Sequence, residues 1–538
     1  MFCTAENTAD IQKIQEVSLM IQTIIKSGEY YDSITLLQVA QGLSKLPGVE
    51  DAAVVMGTPA NKGILKDAGL LTPEAEAAFA DDLIIAVRAA DTATVDLASR
   101  INELLAASRT SKAASGAAPS PKTVSAAAQQ LAGANIALVS VAGRYAAGVA
   151  REALERGLHV FLFSDNVSVE DEIALKTLGR EKGLLVMGPD AGTAIINGVA
   201  LGFADAVIPG PVGVVAAAGT GLQAVTSYLT RMGVGITQGI GTGGRDLSEA
   251  VGGIMMLEGV KALQADPATE VLLLVSKPPA PTVAEKVLKQ LKASNKPAVV
   301  CFLGGKPKAI REAGGIPAET LEEAAHLAAA VARGESPEAV LQRLHARHQE
   351  LKKQAKKLVT RLQMKQNYFR GLFSGGTFCY ESQLILNAML GKGVVLSNAP
   401  VKKKHKLADA NKSIGHTAVD LGEDEFTVGR LHPMLDPTLR NRRILHEARD
   451  PETAIIFLDI VLGYGAHPDP AGAAAEAIRE AQAQLADEGR EVLFIASVCG
   501  TEGDPQNVSA QEAKLREAGV IVLESNATAT RLAGYILS

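Results

Sequence analysis

Short, unbroken apolar runs, each closed by a glycine-rich turn and followed by an amphipathic stretch, recur along most of this chain. Such a run marks a parallel strand buried on both faces, whereas a half-exposed strand alternates apolar and polar positions. Val212 to Ala218 is one; Gly219-Thr220-Gly221 then turns the chain, and a helix begins at Leu222. A second glycine-rich segment, Gly239-Ile-Gly-Thr-Gly-Gly-Arg-Asp246, follows the next predicted strand. Near Leu372 the arrangement returns, with Ser374-Gly375-Gly376-Thr377 opening onto an apolar-faced helix from Phe378. Further pairs keep the same order. Asp266-Pro267 leads into the strand Val271 to Val275 as Asp450-Pro451 leads into Ile455 to Asp459, and Ile310-Arg-Glu-Ala-Gly is matched by Leu515-Arg-Glu-Ala-Gly. One such pair is coincidence; an ordered series is a duplication. The pattern therefore predicts two related flavodoxin-like α/β domains over 205–330 and 368–538.

The remaining segments read differently. Over 1–108, strand-like Ser33-Ile-Thr-Leu-Leu37, Val49 to Met56 and Asp82 to Arg88 alternate with helices at Lys62–Ala68 and Thr92–Leu105, which predicts a small ferredoxin-like domain. A small-residue, Pro-containing linker occupies 109–125. Within 126–204 the strand from Asn135, the turn Ala142-Gly143-Arg144-Tyr145 and the strand ending at Asp165 have the layout of a Rossmann-like mononucleotide fold. Gly143 and Gly148 do not complete a dinucleotide fingerprint. A charged helical linker spans 331–367, its His345 and His348 expected to face solvent rather than a metal. Lys402-Lys-Lys-His-Lys406 is a basic loop, solvated or facing an acidic partner or a phosphate.

Charge and cysteine content narrow the function. The 538 residues carry a net charge of −6, which argues against a nucleic-acid partner. Cys3, Cys301, Cys379 and Cys499 lie too far apart for metal-type pairs or a disulfide framework. The first residues form no signal peptide, and no apolar run reaches the ~20 residues of a membrane span. A cytoplasmic protein with no membrane partner and no metal is expected.

The Gly219–Gly221 turn, the Gly241-Thr-Gly-Gly-Arg-Asp246 loop and Met187-Gly-Pro-Asp190 together resemble the succinyl-CoA synthetase superfamily, over about four-fifths of the chain. The resemblance places a CoA-binding-type domain at 126–204 and a ligase-type domain of the α-subunit kind at 205–330. It makes 368–538 similar to the C-terminal domain of the β-subunit. The fused order, the extra N-terminal domain and Cys499-Gly-Thr-Glu-Gly-Asp-Pro505 look like the FdrA family of acyl-CoA-synthetase-like proteins. The synthetases pass phosphate through a histidine where this chain reads Gly304-Gly305-Lys306, with no histidine between His159 and His326. Without that nucleophile a phosphohistidine relay cannot run. The resemblance then implies that Gly219, Thr220, Gly221, Gly375, Gly376 and Thr377 hold a phosphate or acyl phosphate at two facing helix N-termini. Arg245 and Asp246, with Asp436 and Arg440 as equivalents, are candidates for substrate binding or structural ion pairs. Gly143, Arg144 and Tyr145 are candidates for a cofactor, with CoA the one suggested. Lys277 and Lys306 are candidate anion contacts, His432 and His467 candidate acid–base groups, and Cys499 a buried thiol. The FdrA resemblance further implies one component of a carbamoyltransferase complex of the oxamate type, handling carbamoyl phosphate in anaerobic allantoin catabolism beside companion proteins, as an oligomer. An acyl-CoA ligase-like enzyme binding CoA and an acyl phosphate, or a non-catalytic scaffold, are the alternatives.

Overall fold

The computed structural model describes residues 19–27, 33–44, 46–90, 97–113, 121, 123–390, 395–427 and 430–538. The chain divides into two compact units, one of residues 1–120 with 427–431 and one of the rest.

The first unit contains β1 (Leu19–Lys26), α1 (Ser33–Ser44), β2 (Val49–Met56), α2 (Pro59–Asp67), α3 (Pro73–Ala77), β3 (Leu83–Ala90) and α4 (Leu97–Ala113). Its antiparallel sheet runs β1-β3-β2. Successive side chains of a strand point to opposite faces, and β3 serves two cores this way. Ile85 and Val87 pack with Leu43 and Ile101, while Ile84 and Ala86 pack with Leu65 and Leu70. Two sequence expectations are corrected here. The segment from Ser33 is the start of a helix, and the first strand is the earlier β1. Gln22 and Thr23 mask that strand by interrupting its apolar run, which still pairs along its whole length with β3. The segment 109–113, expected as linker, continues α4, because Arg109, Lys112 and Ala113 favour helix as much as coil. Residues 114–120 of that linker, together with Thr92 and Cys3, lie outside the described residues.

The second unit opens with α5 (Val124–Gln130), β4 (Ile136–Val139), α6 (Gly143–Glu155), β5 (His159–Leu162), α7 (Val169–Lys182) and β6 (Val186–Met187). The three strands are parallel, in the order β4-β5-β6. A hairpin of β7 (Thr193–Ile196) and β8 (Val199–Gly202) follows. The first duplicated domain then runs β9 (Pro209–Ala217), α8 (Gly219–Arg231), β10 (Ile236–Gly241), α9 (Ile254–Ala265), β11 (Val271–Ser276), α10 (Pro281–Lys292), β12 (Ala298–Phe302), α11 (Pro307–Glu312), β13 (Ile316–Pro317) and α12 (Leu321–Ala332). The long α13 (Pro337–Val359), capped by the Ser336 hydroxyl, leads to the second copy. That copy holds β14 (Tyr368–Phe373), α14 (Gly376–Met389), β15 (Val395–Ser397), β16 (His416–Asp420), α15 (Asp424–Thr427), α16 (Thr438–Arg449), β17 (Thr453–Val461), α17 (Pro470–Asp487), β18 (Leu493–Cys499), α18 (Val508–Glu517), β19 (Ile521–Leu523) and α19 (Asn526–Leu537).

The two copies have one topology. Their sheets read β13-β12-β11-β9-β10, extended by β7-β8, and β15-β16-β14-β17-β18-β19. In each, the first strand is central: β9 lies between β10 and β11, and β14 lies between β16 and β17, with β15 added at the edge. Ligands of such doubly wound sheets bind beyond the carboxyl ends where the order reverses. The central strands are buried throughout, as their apolar runs require: β11 and β17 have no exposed residue. Between the sheets, α8, α12, α14 and α19 share one core. Leu222, Val225 and Leu229 of α8 belong to the same apolar cluster as Phe378 and Leu386 of α14 and Leu532 of α19. Each such side chain contributes about 1.5–3 kcal/mol by leaving water. This shared core fixes where the first turns of α8 and α14 stand.

Candidate functional site

α8 begins directly after β9, with Ala218 extended at its cap and no side chain bonded there. Its first internal bond runs from Leu222 N–H to Ala218 O. The N–H groups of Gly219, Thr220 and Gly221 are therefore left over, as at any uncapped helix start. α14 is built alike: Gly375 caps it without a side chain and Cys379 N–H bonds Gly375 O, leaving Gly376, Thr377 and Phe378. The two ends meet. A Cβ on Gly375 would stand 2.5 Å from Thr220 Cγ2, and one on Gly221 would stand 3.2 Å from Thr377 Cγ2. Both threonines are buried. Each helix end carries the equivalent of about half a positive charge, so their apposition favours an anion between them.

The α14 end is flanked by two carboxylates that sequence reasoning does not single out. Asp459 interrupts the apolar run of β17, and its oxygens accept the N–H groups of Ser374 and Gly375, both at 2.7 Å. Behind it, the buried Arg440 of α16 donates to Ser374 Oγ at 2.8 Å and to Asp459 O at 2.7 Å. Together they fix the turn that starts α14. Asp420 ends β16. Its main chain is clamped by Asn398 on both sides, through bonds of 2.8 and 2.9 Å, and its Oδ1 accepts Gly422 N–H at 3.0 Å. Its Oδ2 points at the α14 turn, where a Cβ on Gly376 would stand 2.5 Å away. Burial pushes this carboxyl up to about 7, with Glu423 adding to the rise and Lys277 opposing it. Lys277, at the end of β11, is exposed, with its ammonium 5.5 Å from the Tyr380 ring centre. His432 Nδ1 accepts Met434 N–H at 3.2 Å, and burial lowers the imidazole to about 4, so it is neutral at pH 7.

Other candidates have different surroundings. Asp246 is fully buried and accepts from Lys176 Nζ at 2.8 Å, Met255 N–H at 3.2 Å and Met256 N–H at 2.8 Å. Arg245 donates to Glu172 Oε2 at 3.0 Å and Val167 O at 2.7 Å. The pair ties α7 to the start of α9, the ion-pair arrangement that is one of the two expectations. Arg440 sits behind the site, and Asp436 caps α16 through Thr438, accepting its N–H at 3.0 Å and its hydroxyl at 2.6 Å. All four residues make hydrogen bonds within the fold. Gly143 begins α6, and a Cβ there would meet Asp165 O at 2.4 Å. Arg144 and Tyr145 are on that turn, the guanidinium 4.8 Å from the ring centre, and Tyr145 is exposed. His467 Nδ1 accepts Asp469 N–H at 3.0 Å. Cys499 is buried beside Ser227, and burial raises its thiol well above the ordinary range, so it is no nucleophile. Lys306 stands at the start of α11, and Gly304 near it packs against Leu384 of α14. The loop that lacks the family's histidine thus touches the helix of the second copy.

Comparison with known proteins agrees with this architecture. A family described as CoA binding domain matches residues 208–304, and one described as CoA-ligase matches 372–536. The first falls on the domain expected to be ligase-type, not on 126–204. A family described as AllF, heavy metal-associated domain, matches 19–121. That segment holds neither cysteine nor histidine, and no described residues group as metal ligands, so it does not suit a soft heavy metal. No helix among the described residues is long and apolar enough to cross a membrane. The malate–CoA ligase α-subunit of Methylorubrum extorquens is 29% identical over 36% of this chain and 69% of its own. A solved structure, the dinucleotide-forming acetyl-coenzyme A synthetase 1 of Ca. Korarchaeum cryptofilum, is 15% identical, covering 75% of this chain and 82% of that one at a TM-score of 0.32. The uncharacterized protein YahF of Escherichia coli K12 is 46% identical over 96% of this chain and 98% of its own. The chain therefore belongs to the same family as YahF, acyl-CoA-synthetase-like, with succinyl-CoA-ligase-type CoA-binding and CoA-ligase domains.

Proposed function

We propose that this chain transfers an acyl group between phosphate and an acceptor at the apposed N-termini of α8 and α14. The thiol of coenzyme A is the acceptor that its CoA-binding and CoA-ligase domains favour. The observation that carries the reading is the meeting of two uncapped helix starts, Thr220 against Gly375 and Thr377 against Gly221. Their free N–H groups suit the charge that develops on a departing phosphate. With no histidine at Gly304–Lys306, the acyl phosphate itself is the reactant rather than a phosphoenzyme. Coenzyme A, when bound, supplies the thiol that takes the acyl group. Two features fit its nucleotide end: the uncapped first turn of α6 suits a phosphate, and exposed Tyr145 with Arg144 suits the adenine and its charge.

A second reading is carbamoyl transfer between phosphate and oxamate, in the cytoplasm and beside companion proteins. The missing histidine favours it as well, because carbamoyl phosphate is a small preformed acyl phosphate that needs no relay. Purified protein given acetyl phosphate with coenzyme A, or carbamoyl phosphate with oxamate, separates the two. Phosphate release that depends on coenzyme A supports the first and release that depends on oxamate the second. Release with neither acceptor, and no phosphate binding by calorimetry, would refute acyl transfer at these helix ends.

A further inference from the structure

We infer that Asp420 is the proton-carrying residue of the paired helix ends, a role that rests on the acyl-transfer reading. The geometry separates it from its neighbour Asp459. Asp459 has both oxygens bonded by the turn it supports, at 2.7 Å each, and Arg440 stands 3.7 Å from its Oδ1. Both of its oxygens are thus taken up by the turn; burial raises its carboxyl, while Arg440 and those N–H groups oppose the rise. Asp420 is only 3% exposed, and of its two carboxylate oxygens it is Oδ1 that accepts the Gly422 N–H, at 3.0 Å. Its Oδ2 lies against the first turn of α14 in space kept open by the missing side chain of Gly376. A buried carboxyl whose Oδ2 stands against an uncapped helix start faces the volume where an anion would sit.

Protonation decides whether that anion is tolerated. An ionised Asp420 would repel a phosphate held by the same turn, whereas a neutral one donates a hydrogen bond to it. The groups around Asp420 are Lys277 from the end of β11, Asp459 on β17, Glu423 on the following loop and Cys379 on α14. His432 Nε2 lies on the far side of Gly422, and Arg440 is bound to Ser374 and Asp459. Lys277 favours ionisation, and burial outweighs it, raising the carboxyl to about 7. In the forward reaction the carboxyl gives its proton to the phosphate oxygen as the carbon–oxygen bond breaks. It recovers one from the attacking thiol or amide as the new acyl bond forms. No proton is left over.

Asp420→Asn keeps the shape and the donor but cannot move a proton. We expect turnover to fall about 100-fold or more, in the range of general acid–base contributions, while sulfate still binds. Sulfate is the probe because its charge does not change near neutrality. Its affinity for the wild-type protein should drop as pH rises through about 7 and stay flat for the variant. A variant with wild-type turnover and the same pH-dependent sulfate binding would overturn the role of Asp420. A wild-type protein that binds neither sulfate nor phosphate at any pH would instead remove the acyl-transfer site itself. Asp459→Asn serves as the contrast: it should loosen the turn and weaken sulfate binding without flattening its pH dependence.

Discussion

Replacing Lys176 with methionine should loosen the junction between α7 and α9, and the size of the effect can be worked from the contacts. Lys176 is wholly buried, its ammonium 2.7 Å from Glu172 Oε1, 2.8 Å from Asp246 Oδ1 and 2.9 Å from Thr242 O. Methionine keeps most of the volume and removes the charge, leaving two carboxylates without their shared cation. Breaking one partner of a buried ion pair typically costs about 3–5 kcal/mol. Two compensations place this case near the lower end. Arg245 still reaches Glu172 at 3.0 Å, and Asp246 still accepts the N–H groups of Met255 and Met256. A loss of about 3 kcal/mol is then roughly a hundredfold change in a local opening equilibrium. Unfolding of a several-domain chain is not two-state, so the assay is amide exchange of the α9 first turn, where Met255 and Met256 report directly. Exchange there should accelerate about a hundredfold, while Arg245→Ala, at a half-exposed residue, costs about 1 kcal/mol or less. Acceleration below tenfold in Lys176→Met would mean that the carboxylates relax or neutralise freely, and the reading of a buried cluster held by its shared cation would be wrong.

Gly375→Ala should place a methyl group against Thr220 and Asp459 and cost about 1–3 kcal/mol, with weaker phosphate binding by calorimetry. Thr220→Ser removes the clashing methyl and should recover part of the loss, a coupling that a double-mutant cycle measures. Asp205 is buried against Asp504, and both burial and that neighbour hold its carboxyl protonated well above the ordinary range. The folded state therefore keeps a proton that the unfolded state gives up, and stability falls as pH rises above the usual carboxylate value. Asp205→Asn should remove this loss, so its thermal midpoint should gain on the wild type between about pH 5 and about pH 8; a constant difference would refute it. Lys277→Gln should weaken sulfate binding several-fold at low ionic strength and much less at high salt, since an exposed cation is screened.

Fold was legible because burial writes itself into sequence. Val271–Ser276 and Thr453–Val461 are buried end to end, and nothing but an apolar run is tolerated there. The glycine turns before α8 and α14 were legible for a related reason, since a Cβ at Gly375 or Gly376 has no room. The side chains that complete the site were not, because pairing in space leaves no spacing in sequence. Asp420 and Asn398 are neighbours only through β16 and the loop after β15. Asp459 did leave a signal: a lone charge inside Ile455-Ile-Phe-Leu-Asp-Ile-Val461 needs a buried partner, and the N–H groups of the Ser374 turn are that partner. Arg245 and Asp246 were ambiguous for the converse reason. A charged pair ending a glycine loop looks the same whether it meets a ligand or, as here, Glu172 and Lys176.

Duplication explains why the site lies where it does. One flavodoxin-like copy would present its helix start to water, where a helix end stabilises a charge by about 0.3–1 kcal/mol, rising to about 2 kcal/mol in favourable partly buried settings. Packing α8 and α14 into one core brings two helix starts against each other, with free donors on both sides. Because both copies belong to one chain, the pairing forms without the entropy cost that joining separate chains would impose. The same packing makes charge balance the controlling variable. Two carboxylates stand at the α14 end, and at an effective dielectric of about 20 a like charge about 4 Å away costs about 4 kcal/mol. That is more than one helix end returns. An anion can therefore enter only where one of the carboxylates is neutralised by a proton and the other by its turn. Asp459, bonded by Ser374 and Gly375 and backed by Arg440, meets the second condition, which leaves Asp420 to meet the first.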